Sequence, residues 1–235
     1  MCYSNSSTSS NETLGKFYQR EPGKLPSTEP TYYANGFTFP TWRIITNEPH
    51  INRMQWGLIP SWFSGANPIN IASKTLNARV ETLTEKASFQ RLVSTQRCIV
   101  PSSGFFEFQH KGLEKIPYFI YPIDTLLFSM AGLYDEWLNR ETGGIIQSFT
   151  IITTIANPLM EDIHNHKKRM PLILDQSQIQ AYLLGEGNIN EYSSQPYEAM
   201  QAHKVDKQVL FSQTPNIPAV QHSIVDNIGQ QTLLF

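Results

Sequence analysis

The chain has 235 residues, a formal net charge of −2 and only 16% charged residues, so no overall positive field points to a nucleic-acid partner and any such binding would need a local basic patch. Its two cysteines, Cys2 and Cys98, are too few for a disulfide framework, and no apolar run approaches the roughly 20 residues that span a bilayer. Because the start also lacks the basic and apolar regions of a signal peptide, we expect a cytoplasmic protein with free thiols and no membrane contact.

The predicted elements are short and most of them are strands. Residues 4–12 are polar and predict a loop. Strand-like runs follow at 37–46, 97–101, 104–109, 117–121, 125–134 and 148–155, and helix-like segments lie at 84–95, 158–164 and 176–184. The C-terminal part predicts loops with one short strand. Many strands, with a few helices out of strict alternation, favour a single α+β domain around a curved, mostly antiparallel sheet.

The first motif in chain order is the cysteine directly behind the initiator methionine. Cysteine is small enough for an aminopeptidase to remove Met1, which would leave Cys2 with an α-amine and a thiol on adjacent carbons. Their ordinary pKa values are about 8 and about 8.5, so both have nucleophilic fractions near neutral pH. Such an aminothiol captures an aldehyde first as an imine and then as a thiazolidine. The alternative is that this residue is an incidental part of a disordered terminus.

The stretch MQWGLIPSWF (54–63) concentrates aromatic side chains around a proline. Aromatic clusters of this kind usually belong to the core. If Trp62 and Phe63 were exposed, however, they would form a platform or wedge for nucleic-acid bases.

The stretch TLNARVETL (75–83) alternates apolar and polar residues, which predicts an extended segment. Asn77, Arg79 and Glu81 then share one face. The pattern fits an ordinary amphipathic edge strand equally well. In a functional site, it would place a hydrogen-bonding amide beside an arginine suited to phosphate.

The stretch PSSGFFEFQH (101–110) places Glu107 between aromatic residues, on the same face as Phe105 and Gln109 and opposite Phe106 and Phe108. Apolar surroundings raise the pKa of a carboxyl group, which suits acid or base catalysis near neutral pH. The alternative is an exposed strand glutamate without a catalytic role.

The stretch IANPLMEDIHNHKKRMPLIL (155–174) predicts a short helix that Asn157 caps and Pro158 begins. His164 falls at the end of this helix, where a histidine is more often a capping group than a catalyst, and His166 competes with it. The basic run that follows has either a solvated or a DNA-binding role.

Cys98 lies in an apolar strand and is expected to be buried. No glycine-rich phosphate loop or metal-ligand motif occurs, so the sequence indicates neither a cofactor nor a metal.

Six motifs occur in one order along the chain: Met-Cys at the start, then WGLIPSW, NARVET, RCIVPSSGFFEF, FTIITTIAN and IHNHKKRMPLIL. In this order they resemble the SRAP (SOS-response-associated peptidase) family of abasic-site processing proteins. The resemblance implies a single SRAP-like domain over residues 2–235, with Met1 removed, a barrel-like β core and a groove for single-stranded DNA. It also implies an abasic-site sensor that forms a covalent thiazolidine crosslink through Cys2, with associated lyase or autoproteolytic activity.

The resemblance further implies roles for individual residues. Cys2 would be the nucleophile, Asn77 would position it and the opened sugar, Glu107 would move protons, and His164 would assist ring opening and imine chemistry. Contacts to DNA would come from Arg79, Trp62, Phe63, Phe108, Pro40 and Thr153. The partner would be single-stranded DNA that contains abasic sites, including those at junctions with duplex, bound by a monomer that associates with the nucleoid.

The chain departs from the family pattern in four respects. It begins Met-Cys-Tyr-Ser where the family often has Met-Cys-Gly-Arg, and residues 165–168 resemble a short insertion. Its 64–75 loop is longer than usual, and phenylalanine replaces tryptophan at positions 63 and 108. The insertion would allow His166 to take the place of His164.

Three other functions fit parts of the sequence. The first is a cysteine-type peptidase or autopeptidase that uses Cys2 with His164, Asn77 and Glu107. The second is an N-terminal-nucleophile amidohydrolase, for which the chain has too few long strands. The third is a non-catalytic single-stranded-DNA-binding module.

Overall fold

The computed structural model describes residues 2–23, 25–26, 29–65 and 67–224. Met1, whose removal the sequence analysis expects, and residues 225–235 of the expected 2–235 domain lie outside the described residues. Within the described ranges, no helix is long and apolar enough to cross a membrane.

Strands provide most of the regular structure, in agreement with the predicted fold class. Those in the described ranges are β1 (Ser4–Ser7), β2 (Thr31–Asn35), β3 (Thr41–Ile44), β4 (Asn52–Trp56), β5 (Asn77–Arg79), β6 (Arg97–Ser102), β7 (Gly104–Lys111), β8 (Glu114–Pro122), β9 (Phe128–Leu138), β10 (Ile145–Ile155), β11 (Arg169–Pro171), β12 (Ile173–Leu174) and β13 (Met200–Lys204). The α-helices are α1 (Asn11–Tyr18), α2 (Ile69–Ala72), α3 (Pro158–Ile163), α4 (Ile179–Leu183) and α5 (Lys207–Leu210). Single 3-10 turns follow β2 and β5, at Gly36–Thr38 and Val80–Thr82.

The strands form two curved sheets. The smaller has the order β13-β8-β7-β1-β2, and the larger has the order β12-β9-β10-β4-β3, with β5 and β11 paired to β10 and β6 paired to β9. All pairings are antiparallel except those of β10 with β4 and β5. The expected curved, mostly antiparallel β core is therefore present, although its sheets do not close into a complete barrel. The larger sheet curves far enough for Ile45, just after β3, to exchange two backbone hydrogen bonds with Ile99 of β6.

Two parts of the predicted element list are wrong. Residues 84–95 form successive turns instead of a helix, with bonds such as that from the Phe89 amide to the Lys86 carbonyl, 2.8 Å. Phe89 and Leu92 are both buried, and the same three-residue spacing of apolar side chains serves either conformation. The polar start at 4–12 is not a loop, since it contains β1 and the first residues of α1.

The β1 strand is buried although its side chains are polar. All four of its residues lie below 10% exposure, and their polar groups are satisfied internally. The Ser102 hydroxyl donates to Asn5 Oδ1, and Ser6 Oγ donates to the Thr31 carbonyl. This hydrogen bonding fixes β1 between β7 and β2. The chain immediately before β1 is thereby held against the core, and that chain contains Cys2.

Candidate active site

Cys2 lies at the entrance to β1 and is buried among the side chains of the central apolar cluster, which include Phe105 and Met130. Its carbonyl accepts a 2.9 Å hydrogen bond from Asn77 Nδ2. Its Sγ lies 3.7 Å from the Ser4 carbonyl oxygen. Burial raises the pKa of the Cys2 thiol well above its ordinary value, and the negative charge of Glu107 raises it further. The thiol is therefore held in its protonated form beside Glu107.

Asn77 is the first residue of β5, and the parallel pairing of β5 with Ile151 of β10 fixes its backbone. Its amide nitrogen holds the Cys2 carbonyl, whereas its Oδ1 is buried and accepts no hydrogen bond from the described residues. A buried acceptor without a donor costs about 1–3 kcal/mol. A hydroxyl or amine of a bound molecule at this position would remove that cost.

We expect Asn77→Ala to slow any reaction at Cys2 by about tenfold, because the hydrogen bond that holds the Cys2 carbonyl is lost. Asn77→Asp should be at least as slow, since a carboxylate has no hydrogen to donate to that carbonyl. Single-turnover rates at saturating substrate measure the effect. Asn70→Ala changes an amide that lines the same groove and provides the matched control. Equal rates for Asn77→Ala and Asn70→Ala would contradict a positioning role for Asn77.

Glu107 lies in the middle of β7, and its neighbours divide between the two faces of the strand. Phe105 packs in the cluster that contains Cys2, whereas Phe106 and Phe108 belong to a second cluster on the opposite face. Glu107 is only 6% exposed. Burial raises its pKa to about 7. Near neutral pH this carboxyl group can therefore both donate and accept a proton.

His164 ends α3, which begins with the predicted cap: Asn157 Oδ1 accepts the Met160 amide at 2.8 Å. The imidazole Nδ1 lies 2.8 Å from the Arg169 carbonyl oxygen. A carbonyl can only accept a hydrogen bond, so Nδ1 carries the hydrogen and Nε2 carries the lone pair. Burial lowers the pKa of His164 to about 4, which keeps the ring neutral. Nε2 lies 3.9 Å from Glu107 Oε2.

The structure thus brings together the four residues that the sequence analysis expects to be catalytic: Cys2, Asn77, Glu107 and His164. It also separates the two competing histidines. His164 is buried beside Glu107, whereas His166 is exposed and its ring stacks on His110.

Arg79 reaches the solvent beside this cluster. Its side chain is 60% exposed, and its Nε lies 3.8 Å from Glu81 Oε2. Together with Asn77 and Phe63 it lines an open groove of about 590 Å³, whose other lining residues are Asn70, Ile71, Lys74, Thr75, Ala78, Thr82, Lys86, Ser88 and Phe89. The groove combines three basic side chains with two aromatic rings, and it leads to the amide that holds Cys2.

Trp62, the last residue of the WGLIPSW motif, and Phe63, the residue after it, differ in exposure. Trp62 is 50% exposed, and its Nε1 donates to the Ala87 carbonyl at 3.2 Å. Phe63 is half-buried, packs against Trp137 and lines the groove. Trp62 thus presents its ring to solvent, while the ring of its neighbour Phe63 lines the groove.

The remaining predicted DNA contacts lie elsewhere. Thr153 is fully buried and donates its hydroxyl to the Ala78 carbonyl, so its side chain does not line the groove. Phe108 stacks on Phe211 on the face of β7 opposite Glu107. Pro40 is half-buried and accepts the Trp56 amide with its carbonyl oxygen, and it is not among the groove residues.

An ion pair that the sequence analysis did not identify connects two sides of the site. Arg169 is buried, and its guanidinium donates to both carboxylate oxygens of Glu81 at 2.5 and 3.0 Å and to the Thr153 carbonyl. Glu81 lies in the turn after β5, which carries Asn77, and the Arg169 carbonyl holds His164. The sequence signal was present, because Arg169 opens the apolar run RMPLIL instead of closing the basic run before it.

We expect Glu81→Ala to lower the free energy of unfolding by about 2 kcal/mol, because it leaves the buried Arg169 cation without its carboxylate. This expected loss of stability is smaller than that for a fully buried ion pair, because the Glu81 side chain is 41% exposed. Urea denaturation measures the loss. Glu161→Ala, which removes the exposed ion pair with Lys168, should cost less than about 1 kcal/mol. Equal losses in the two variants would contradict a structural role for the buried pair.

No group of three or more histidine, cysteine or acidic side chains within the described ranges is arranged to hold a metal ion.

Comparisons with known proteins agree on one family. The family model described as SOS response associated peptidase (SRAP) matches residues 1–211. The abasic site processing protein YoqW of Bacillus subtilis is 37% identical over 196 residues, which cover 79% of this chain and 84% of that protein. The abasic site processing protein HMCES of Xenopus tropicalis is 38% identical over 148 residues, covering 55% of this chain and 43% of that protein.

Solved structures show the same fold. A crystal structure of a protein from Bacteroides thetaiotaomicron superimposes with a TM-score of 0.88 at 37% identity, covering 95% of this chain and 100% of that one. A crystal structure of a protein from Bordetella bronchiseptica has a TM-score of 0.72 at 24% identity, a similarity of fold alone.

Proposed function

The chain belongs to the SOS response associated peptidase (SRAP) family, and on that premise we propose that it is an abasic-site processing protein. In this proposal, Cys2 reacts with the aldehyde of an abasic deoxyribose in single-stranded DNA and forms a thiazolidine crosslink. The relatives named above as abasic site processing proteins support the substrate class.

One observation carries the proposal: Cys2 meets Asn77, Glu107 and His164 at a single buried site. An aldehyde trap needs an amine and a thiol on one residue, and removal of Met1 would supply both on Cys2. It also needs a group that gives and takes protons near neutral pH. Glu107, whose pKa is about 7, has this property.

The first step opens the sugar and forms the imine. His164 is neutral, and Nε2 is its acceptor nitrogen, so it accepts the proton of the C1′ hydroxyl and gives it to the ring oxygen O4′ as the C1′–O4′ bond breaks. The α-amine of Cys2 then attacks the aldehyde carbon. Glu107 in its protonated form gives a proton to the carbinolamine oxygen, which leaves as water.

The second step closes the ring. The Cys2 sulfur bonds to the carbon of the protonated imine, whose nitrogen keeps its hydrogen, and the thiol proton passes to the Glu107 carboxylate, which is thereby restored to its protonated starting state. The sum is aldehyde plus aminothiol giving thiazolidine plus one water. Because the thiol stays protonated until this step, the amine reacts first. An imine that is not closed can instead lose its 3′ phosphate by β-elimination, which gives lyase activity as a second outcome.

The groove provides the path for the DNA strand. Arg79, Lys74 and Lys86 line it with positive charge, and their exposure suits backbone phosphates. Trp62 presents an exposed ring for stacking against the last base pair of a flanking duplex. The proposal predicts a monomer that associates with the nucleoid when it is bound to DNA.

The test compares three substrates with the same purified protein. An oligonucleotide with one abasic site should give a species that is covalent on a denaturing gel, whereas the same oligonucleotide with an intact base should give none. A panel of chromogenic peptides should remain uncleaved. Peptide cleavage without a DNA adduct would contradict the proposal in favour of a peptidase, and reversible DNA binding alone would contradict it in favour of a binding module.

A further inference from the structure

The segment between α3 and β11 is attached to the edge of β7 by an exchange of hydrogen bonds. The His110 amide donates to Asn165 Oδ1 at 3.0 Å, and Asn165 Nδ2 donates to the His110 carbonyl at 2.9 Å. Gln109 Nε2 donates to Asp162 next to this link. The segment is therefore held in one position relative to Glu107, two residues before Gln109 on the same strand.

Two imidazole rings and an ammonium group meet at this link. The rings of His110 and His166 stack with centroids 5.3 Å apart and planes 19° from parallel. Lys167 is exposed, and within the described residues no carboxylate lies within ion-pair distance of it. Its neighbour Lys168 is instead held by Glu161 at 3.3 Å. We call His110, His166 and Lys167 the histidine–lysine patch.

The patch lies close to the reacting groups. His166 and Lys167 belong to the turn that follows His164, whose carbonyl accepts hydrogen bonds from the Lys167 and Lys168 amides at 3.2 and 2.8 Å. Arg79 lies in the groove with Asn77, which holds the Cys2 carbonyl. A strand with its abasic sugar at Cys2 would thus have two separate sets of basic groups near the lesion.

We infer that the histidine–lysine patch binds a DNA backbone phosphate next to the abasic sugar, as a contact separate from that of Arg79. The inference rests on the proposed function. An ammonium group and imidazole N–H groups are suitable donors for phosphate oxygens.

The test measures reversible binding, so that it does not depend on the chemistry of Cys2. The parent is the Cys2→Ala protein, and the probe is a single-stranded oligonucleotide with a tetrahydrofuran abasic analogue. Adding His166→Ala and Lys167→Ala should raise the dissociation constant about tenfold at low salt and reduce the slope of log K against log salt by about 0.7. Adding Lys16→Ala, an exposed lysine of α1, should change the dissociation constant by less than about twofold.

A second arm keeps the test independent of folding. A neutral methylphosphonate replaces one of the two phosphates that flank the lesion, in turn. With one of these two probes, the parent should bind more weakly, and the parent and the patch variant should have the same dissociation constant. This is the expected result when the methylphosphonate and the substitutions remove the same contact. Unchanged affinity and salt slope in the folded patch variant, or effects that add with both probes, would overturn the inference. Absence of a covalent adduct with the Cys2 protein would instead contradict the proposed function.

Discussion

Cys2→Ala is expected to abolish the covalent adduct with abasic DNA, a loss of more than about 1,000-fold in rate, because it removes the sulfur that closes the ring. Cys2→Ala and Cys2→Ser both keep an α-amine once Met1 is removed, so each should give at most an imine that borohydride traps and that hydrolyses without it. Both substitutions change only the sulfur of a small side chain that packs in the apolar cluster, where this sulfur lies 3.7 Å from the Ser4 carbonyl oxygen. Denaturing gels with and without borohydride measure the two outcomes.

The chain offers a matched control in its other cysteine. Cys98 is fully buried in β6, and burial alone raises its pKa. Cys98→Ala should be less stable than the parent, but it should crosslink at the parental rate at a temperature where it is folded. Stable, borohydride-independent adducts in both Cys2 variants would contradict the thiazolidine mechanism, and loss of the adduct in Cys98→Ala at a temperature where it is folded would contradict the assignment of Cys2.

Glu107→Gln is expected to slow crosslinking by about 100-fold, because the amide cannot transfer a proton. In the parent, the rate should rise with pH as the α-amine loses its proton near about pH 8. It should fall as Glu107, with a pKa of about 7, loses the proton that it donates. The crosslinking rate should therefore be highest at a pH between these two pKa values. In Glu107→Gln the alkaline fall should disappear. His164 should not contribute to the pH dependence of the rate in this range, since its pKa is about 4.

Single-turnover rates over this pH range, at saturating DNA, measure the effect. Glu114→Gln, at the exposed start of β8, is the matched control and should keep both the rate and the profile. A parental rate and an alkaline fall in Glu107→Gln would exclude Glu107 as the proton donor. If the reverse reaction uses the same group, the release of DNA from the adduct slows by the same factor, because a catalyst acts on both directions.

The position of Glu107 could be predicted from sequence because it depends on local geometry. Alternation along a strand places Glu107 with Phe105 and opposite Phe106 and Phe108, and the structure has this arrangement. The cap of α3 follows from Asn157 and Pro158 for the same reason. Local rules of this kind need no knowledge of the partner elements.

Features that depend on pairing between distant segments could not be predicted from the residues alone. The polar β1 strand was expected to be a loop, because the partners that satisfy its serines and Asn5 lie on β7, β2 and Ser102. The family resemblance implied a DNA contact for Thr153, yet Thr153 is buried and its hydroxyl donates to the Ala78 carbonyl of β5. The burial of Arg169 depends on Glu81, which is distant in sequence.

The central claim is that the amine and the thiol of Cys2 capture one aldehyde. The intact mass of the protein, before and after incubation with a single-stranded oligonucleotide carrying one abasic site, tests this claim most directly. The account predicts protein that lacks Met1 and gains the mass of one oligonucleotide less one water, in an adduct that survives denaturation without reduction. Protein that lacks Met1 but gains no such mass under conditions where it binds the oligonucleotide would contradict it.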